Sequence, residues 1–415
     1  MAVIGIVAEY NPFHNGHLYL IKKAKHLAGS YPVVCVMSGN FLQRGEPAIC
    51  NKWARAEMAL KSGADLIIEL PVCFSVRSAY YFARGALKLL QRSTVITHLA
   101  FGAECDNLLL LNSVAQLLAD EPKALVNLIK DNLDMGKSFP QARADALHQY
   151  VGKDYEDIHD VLTGSNNILA IEYLRVIREG CIPFSPIIVK RKGSLYHDVS
   201  LSPFASATAI RHHLFTSPGL HHLNPSIPQA TFNILERETA KGRCPVSLAP
   251  LERAILLKLR SLSLPKLRNI YEINEGLEFL FKEAANQSGT LDELIKTVKS
   301  KRYSLTRIKR TLLYILFNLT QEQILCFDQH GPLYLHILGF SSKGQKILQE
   351  IKNKSDLPIF SRGKGMKKAR DKNPGTPIGE MINLEILASD IYTLLYPEPA
   401  ERQGGKDFIT SPIKV

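Results

Sequence analysis

Apolar and polar positions alternate in blocks along the first hundred residues. Short runs of buried character, Ala2 to Ala8, Val33 to Met37, Asp65 to Leu70 and Ile96 to Phe101, read as strands. Between them, Gly16 to Ala28, Lys52 to Ser62 and Ala79 to Leu90 place apolar residues at helical spacing. That rhythm predicts an α/β fold on a parallel sheet. Each strand runs into a loop rich in Gly, Asn, Ser or Pro (NPFHNG, SGNFLQRGEP, LPVCFS, FGAE), and loops at the carboxyl ends of parallel strands line the ligand crevice.

Leu108 to Tyr150 is helical in pattern with a break at Gly136 to Pro140; a helix from Asn166 to Arg178, a strand from Pro186 to Val189 and a helix from Ser206 to Phe215 follow. The stretch SPGLHHLNPSIP, Ser217 to Pro228, has a linker's composition, so a first domain is expected over 1–220 and a second over 221–415. The second reads as helical at Leu251 to Leu262, Leu277 to Ala285, Leu291 to Lys299 and Leu305 to Leu319. It also holds a small βαβ-like piece near 332–361, a Gly/Lys/Arg loop and a helix from Ile378 to Leu395.

Charge divides the chain in the same way. Of 415 residues, 51 are Lys or Arg and 39 Asp or Glu, a formal +12; residues 1–180 carry 18 of each sign, so the excess lies entirely beyond them. A neutral sheet region followed by a basic remainder suits chemistry in one part and a polyanion held by the other. Two clusters stand out. Lys296, Lys299, Lys301, Arg302, Arg307, Lys309 and Arg310 occur without an intervening acid, and Arg362, Lys364, Lys367, Lys368, Arg370 and Lys372 fill the predicted loop. Both are candidate RNA contacts, supplying phosphate affinity rather than base reading. The seven cysteines are scattered without a Cys-x-x-Cys pair, so reduced thiols are expected, not a disulfide frame or zinc site. No apolar run reaches membrane length and the N-terminus has no leader-like pattern, so a cytoplasmic location is expected.

The most specific local signal is His14-Asn15-Gly16-His17, straight after the first strand. At this chain's composition an H-x-G-H run is expected by chance roughly 0.03 times. Such a turn sets backbone N–H groups and a helix N-terminus at the crevice, where phosphate is favoured, and two imidazoles can donate to a phosphoryl group gaining charge. Ser206-Ala207-Thr208-Ala209-Ile210-Arg211 is a second phosphate candidate: hydroxyls at a helix start, and a guanidinium for leaving pyrophosphate.

These runs resemble the nucleotidyltransferase superfamily with the HIGH signature. More narrowly, YNPFHNGHLYL, VMSGNFLQRGEPA, GADLIIELP, FGAE, SNNILAIEYL, KRKG with Tyr196-His197-Asp198, and SATAIR resemble the bacterial tRNA(Met) cytidine acetate ligase family. The resemblance implies a Rossmann-like catalytic domain with a parallel sheet and a mainly helical, RNA-binding C-terminal region. It implies ATP as co-substrate with Mg²⁺ on the triphosphate, acetate as acyl source, and elongator tRNA(Met) as acceptor at N4 of its wobble cytidine. No metal-ligating side chains, membrane or protein partner are expected. Carried over by motif, the ATP site comprises Val7, Ala8, Glu9, Tyr10, Asn11, Pro12, Phe13, His14, Asn15, Gly16, His17, Leu18, Tyr19 and Leu20. Gly102, Asn167 in preference to Asn166, Arg191, Lys192, Ser206, Thr208 and Arg211 complete it, with His14 and His17 catalytic.

No motif marks the acetate pocket. The loop Ser38 to Ala48 offers Asn40, Gln43 or Arg44, and neither Glu9 nor Asp65 is assigned as a base. Two other readings stay open at this stage: a small-molecule adenylyltransferase of the same fold, and a nucleotide-sensing RNA-binding protein without turnover. A class I aminoacyl-tRNA synthetase fits less well, since no KMSKS-like lysine run accompanies the second phosphate motif.

Overall fold

A computed structural model describes residues 2–152, 161–162, 164–192 and 200–415. Its centre is one eight-stranded sheet: β1 (Ile4–Ala8), β2 (Val33–Ser38), β3 (Leu66–Leu70), β4 (His98–Ala103), β5 (Ser185–Lys190), β6 (Leu335–Phe340), β7 (Ile359–Phe360) and β8 (Ile413–Lys414). The order is β5-β4-β1-β2-β3-β6-β7, with β8 also paired to β6. β1 to β5 run parallel, and β6 joins β3 antiparallel. Connections leave β1 toward β2 on one side while β4 lies on the other, so the strand order reverses there; the crevice of a parallel sheet opens at such a point.

The strands are near-continuous apolar runs because both faces are covered. Ile4, Ile6, Val33, Cys35, Met37 and Ile67 face one core, with α1 (Asn15–Ala28), α2 (Lys52–Lys61) and the helices Ala207–Thr216 and Gln229–Ala240. Val34, Val36, Leu66, Ile68 and Leu70 face the other, with α3 (Val72–Ser75), α4 (Ala79–Arg92) and the helix Ser165–Glu179. Successive residues take opposite faces, as period two requires.

The second core runs on without a break into the helices Glu252–Ser261, Leu277–Gln287, Leu305–Phe317 and Pro377–Thr393. The βαβ-like piece near 332–361 adds its strands to the main sheet. The stretch expected to be a linker is packed: Leu223 and Ile227 are buried, and Ser226 C=O accepts from Asn15 N–H at 3.1 Å. Its Pro and Gly mark changes of direction within a packed segment. The helix Gln229–Ala240, which no sequence reading above anticipates, follows directly. The Gly/Lys/Arg stretch is also not a loop but the helix Gly363–Lys372, whose Met366 is buried.

Buried ions fasten the C-terminal elements to the sheet. Lys52 Nζ meets Glu69 at 2.7 Å and Asp407 at 2.5 Å and donates to Ser389 Oγ at 3.2 Å; Glu69 also bonds His336 of β6. Burial opposes ionisation of Glu69, but Lys52 and His336 outweigh it and hold the carboxyl at about 2. Arg77, paired with both oxygens of Asp328, lies over the Tyr81 and Tyr271 rings at 4.2 and 4.7 Å.

Candidate active site

A cleft of about 250 Å³ opens at the carboxyl ends of β1 and β4, where the strand order reverses. Tyr10, at φ 49°, turns the chain out of β1, and α1 begins five residues later. His14 is the N-cap of α1: its Nδ1 accepts from Gly16 N–H at 3.0 Å, and its own N–H donates to His17 Nδ1 at 3.2 Å. This is a capping box built from two imidazoles. It explains the glycine, because a Cβ at Gly16 would lie 2.8 Å from His14 Cε1.

The two rings stack with centroids 3.7 Å apart, and Tyr10 and Phe13 pack around His17 at 4.9 and 5.4 Å. Burial, then the positive field of Arg191 and Arg211, lowers His14 from its ordinary range to about 3. Burial, His14 and Arg191 lower His17 as well. Both are therefore neutral at physiological pH. Since each Nδ1 is an acceptor, the proton of each ring resides on Nε2, the donor left for the cleft.

Across the cleft, Ser206 caps the helix Ala207–Thr216 by accepting from Ala209 N–H at 3.0 Å, so that Ser206, Ala207 and Thr208 present a helix N-terminus. Arg211 reaches back to Asn11 C=O at 2.9 Å, tying this helix to the loop after β1. Arg191 donates to Asn166 Oδ1 at 3.0 Å, and Lys192 Nζ sits 5.0 Å from the Tyr19 ring centroid. Arg44, Lys190, Arg191, Lys192 and Arg211 line the cleft against two carboxylates, Glu9 and Glu46, an imbalance suited to a polyphosphate.

Of the motif-derived residues, Val7, Ala8, Glu9, Tyr10, Asn11, His14, Gly16, His17, Tyr19 and Leu20 reach the cleft, as do Gly102, Arg191, Lys192, Ser206, Thr208 and Arg211. Pro12, Phe13, Asn15 and Leu18 are not on its wall. Phe13 is core, and Asn15 Nδ2 donates to Pro203 and Pro225 carbonyls at 3.0 and 2.9 Å. Of the two asparagines, Asn167, the one preferred from the motif, is buried and its Oδ1 accepts from Cys105 N–H, whereas Asn166 is on the wall. A Cβ at Gly102 would make only ordinary contact with Arg191, which leaves space for a ligand at that strand end. Gly193 and Tyr196-His197-Asp198 of the quoted motif lie outside the described residues.

Several participants escaped sequence reading. Glu104 of FGAE receives Asn166 Nδ2 at 2.5 Å and Asn167 N–H at 2.8 Å, capping the helix Ser165–Glu179 from a distant strand end. The aromatic residues Phe82, Phe101, Tyr173 and Phe204, with Leu42 and Leu169, form the apolar wall. Glu46 comes from the loop after β2, where the sequence-derived candidates Gln43 and Arg44 also reach the cleft. Of the other loop candidates, Asn40 is structural, bonding Ser389 Oγ and Lys52 N–H; Asp65 binds Val33 N–H and Lys25 at the opposite end of the strands.

The basic clusters differ in fate. Lys296, Lys299 and Lys301 are exposed, but Arg302 pairs with Glu275 at 3.0 Å and Arg307 donates to Asn274 at 2.7 Å. Lys309 pairs with Glu46 on the cleft rim. Arg310 is buried 3.6 Å from Glu272, which removes it from any exposed RNA face. On the helix Gly363–Lys372, Lys364, Lys367, Lys368 and Lys372 are exposed, as is the preceding Arg362, while Arg370 is paired with Asp371.

Among the described residues, one group of His, Cys, Asp or Glu has metal-site spacing, Glu69, His336 and Asp407; the Lys52 ammonium is already seated against Glu69 and Asp407. The cleft's own carboxylates do not form such a set, so the donors present do not fit a protein-held Mg²⁺.

Residues 1–407 match the HIGH Nucleotidyl Transferase family model. The enzyme of Syntrophomonas wolfei named tRNA(Met) cytidine acetate ligase is 58% identical over 413 residues, spanning all of this chain and 99% of its own. The chain belongs to the tRNA(Met) cytidine acetate ligase family of HIGH nucleotidyl transferases. A Halothermothrix orenii ligase of the same name is 43% identical over the full length of both. The crystal structure of Thermotoga maritima TmcAL, apo form I, superposes with a TM-score of 0.94 at 36% identity over both whole chains, and its form bound with alpha-thio ATP with 0.93. The ligase family's α/β nucleotidyltransferase fold, with its mostly parallel sheet, is thus the fold found here.

Proposed function

We propose that this chain joins acetate to ATP, forming acetyl-adenylate and pyrophosphate, and transfers the acetyl group to N4 of the wobble cytidine of elongator tRNA(Met). The reading places it in the cytoplasm beside that substrate. The observation that carries it is the pair of neutral, stacked imidazoles at the crevice, each with Nδ1 engaged and Nε2–H left as donor. That arrangement suits a phosphoryl group gaining negative charge. Arg191, Lys192, Ser206, Thr208 and Arg211 serve the β- and γ-phosphates, and Asn166 beside Gly102 serves the nucleoside. In-line attack of acetate on the α-phosphorus then requires positioning and charge stabilisation. The cleft's side chains would not hold Mg²⁺ themselves; an ion arriving with the nucleotide would supply charge neutralisation. The acetate and the tRNA are supported by the names of relatives aligned over the entire chain.

The exposed lysines of Gly363–Lys372, with Lys296, Lys299 and Lys301, are the proposed tRNA contacts. Incubation with ATP, labelled acetate and bacterial tRNA, followed by nucleoside analysis, tests the proposal. Label is expected in N4-acetylcytidine; AMP transfer to a small phosphorylated acceptor without acetate, or saturable ATP binding without acetyl-AMP, would reject it.

A further inference from the structure

Cytosine N4 brings two protons to the reaction and its acetylated product keeps one, so some group must take the other. The adenylation residues are ill suited to do so: both histidines have Nδ1 engaged with backbone N–H, and Arg191, Lys192 and Arg211 are cations without a lone pair to offer. Glu9 is different. It is the first residue beyond β1, the strand at which the sheet order reverses. Arg55 Nη1 holds its carbonyl at 2.6 Å, and Gln43 N–H donates to its Oε1 at 2.7 Å. These two anchors fix a carboxyl on the cleft wall. On one side lie Gly102, Asn166 and Arg191 of the β4–β5 half; on the other is the loop bearing Leu42 and Gln43. Glu46, the other wall carboxylate, is engaged by Lys309. Phe82 and Tyr173 supply apolar surface on the same wall for a planar base.

We propose that Glu9 is a catalytic residue of acyl transfer, accepting a hydrogen bond from the exocyclic amine of the acceptor cytosine and taking one of its protons. The proposal rests on the ligase reading above. The N4 lone pair forms a bond to the acetyl carbonyl carbon of acetyl-adenylate. The bond from that carbon to the phosphate oxygen breaks, and AMP leaves with the electron pair. One N4 proton passes to the Glu9 carboxylate and from there to water, which regenerates the base. Carboxylates are the natural acceptors for the cytosine amine. The surroundings favour the role: burial raises the Glu9 carboxyl, opposed by Gln43 N–H and then by Arg44, Arg211 and Arg55. Tyr173 faces it from the helix Ser165–Glu179, with His14 and His17 on the same cleft, both neutral. A carboxylate with raised affinity for protons is a stronger base at neutral pH.

The test separates the half-reactions in the full-length protein. If the unaltered protein leaves cytidine unacetylated, the ligase reading itself fails. Given that activity, Glu9→Gln retains an oxygen for Gln43 N–H but cannot take a proton. Single-turnover transfer from acetyl-adenylate to tRNA is expected to fall about 10²-fold or more and to lose its rise with pH. Acetate-dependent ATP–pyrophosphate exchange should fall far less. Glu9→Asp, which keeps the carboxylate, should recover part of the transfer rate together with the pH inflection; should Glu9→Gln fold poorly, Glu9→Ser, which also lacks a carboxylate, takes its place. Equal losses in exchange and transfer, an unaltered pH profile, or transfer close to the original rate in Glu9→Gln would overturn the assignment.

Discussion

His14 and His17 lie ring over ring, centroids 3.7 Å apart and planes 26° from parallel, and each uses Nδ1 to bind a backbone N–H of the turn they share. The same atoms therefore cap α1 and fix which nitrogen donates. Substitution separates these duties. Replacing His14 by Ala should cost about 1 kcal/mol through the lost cap and lower acetyl-adenylate formation by roughly 10²- to 10³-fold. His14→Asn should restore the cap but not the rate. Thermal melting and acetate-dependent pyrophosphate exchange on the two variants check this; equal rates in His14→Asn and the unaltered protein would contradict it.

Acid should loosen this turn in a defined window. The unfolded imidazole binds a proton near pH 6.5, the folded His14 only at about 3. Between these values the unfolded chain holds more protons. The stability contributed by the neutral ring is thus present above pH 6.5 and is lost progressively as pH falls toward 3, on the order of a few kcal/mol. Urea titrations at stepped pH should show this slope, shallower in His14→Asn.

Lys52 should prove a structural cation. Changing it to Met leaves Glu69 and Asp407, both buried, without their common partner. Loss of about 3–5 kcal/mol is expected, read by denaturant unfolding. Because Asp407 and Ser389 bring in the C-terminal elements, proteolysis near that end should accelerate in the same variant.

RNA affinity should map to one helix more than to the longer basic run. Lys367→Gln with Lys368→Gln removes two exposed charges from Gly363–Lys372 and should reduce the slope of log affinity against log salt by about 2, similarly for all tRNA sequences. Arg310→Ala should instead lower stability by about 3 kcal/mol, since it strands Glu272, with little change in salt slope. Binding titrations over a range of salt, paired with melting curves, distinguish the two outcomes.

Much of this was visible in local pattern. The strands at Val33 and Leu66 and the helices after them declare themselves by apolar period, and the spacing of His14, Gly16 and His17 lies within one helical turn, where backbone geometry fixes what can touch. Sequence reading failed where a signal has two structural meanings. Pro and Gly near 218–228 suggested a linker but shape a packed bend, and the Gly/Lys/Arg stretch suggested a loop although Met366 anchors a helix. Asn166 and Asn167 are adjacent and alike in chemistry; only their partners, Arg191 for one and Cys105 N–H for the other, tell them apart.

The sequence by itself determined the alternating α/β architecture of the first hundred residues, the two-histidine turn at the start of α1 and the hydroxyl-rich helix start, because each depends on residues within a turn or two of backbone. Tertiary structure decided which charges reach the cleft and which are consumed in holding it. Glu104 caps a helix at a residue 63 positions away, Lys309 reaches Glu46 across 263, and Lys52 meets Asp407 across 355. Such pairings depend on how strands are ordered in the sheet and on what desolvation demands of a buried ion. No local period carries that information, so the same basic run of sequence yields a solvent-facing lysine at 301 and a buried structural arginine at 310.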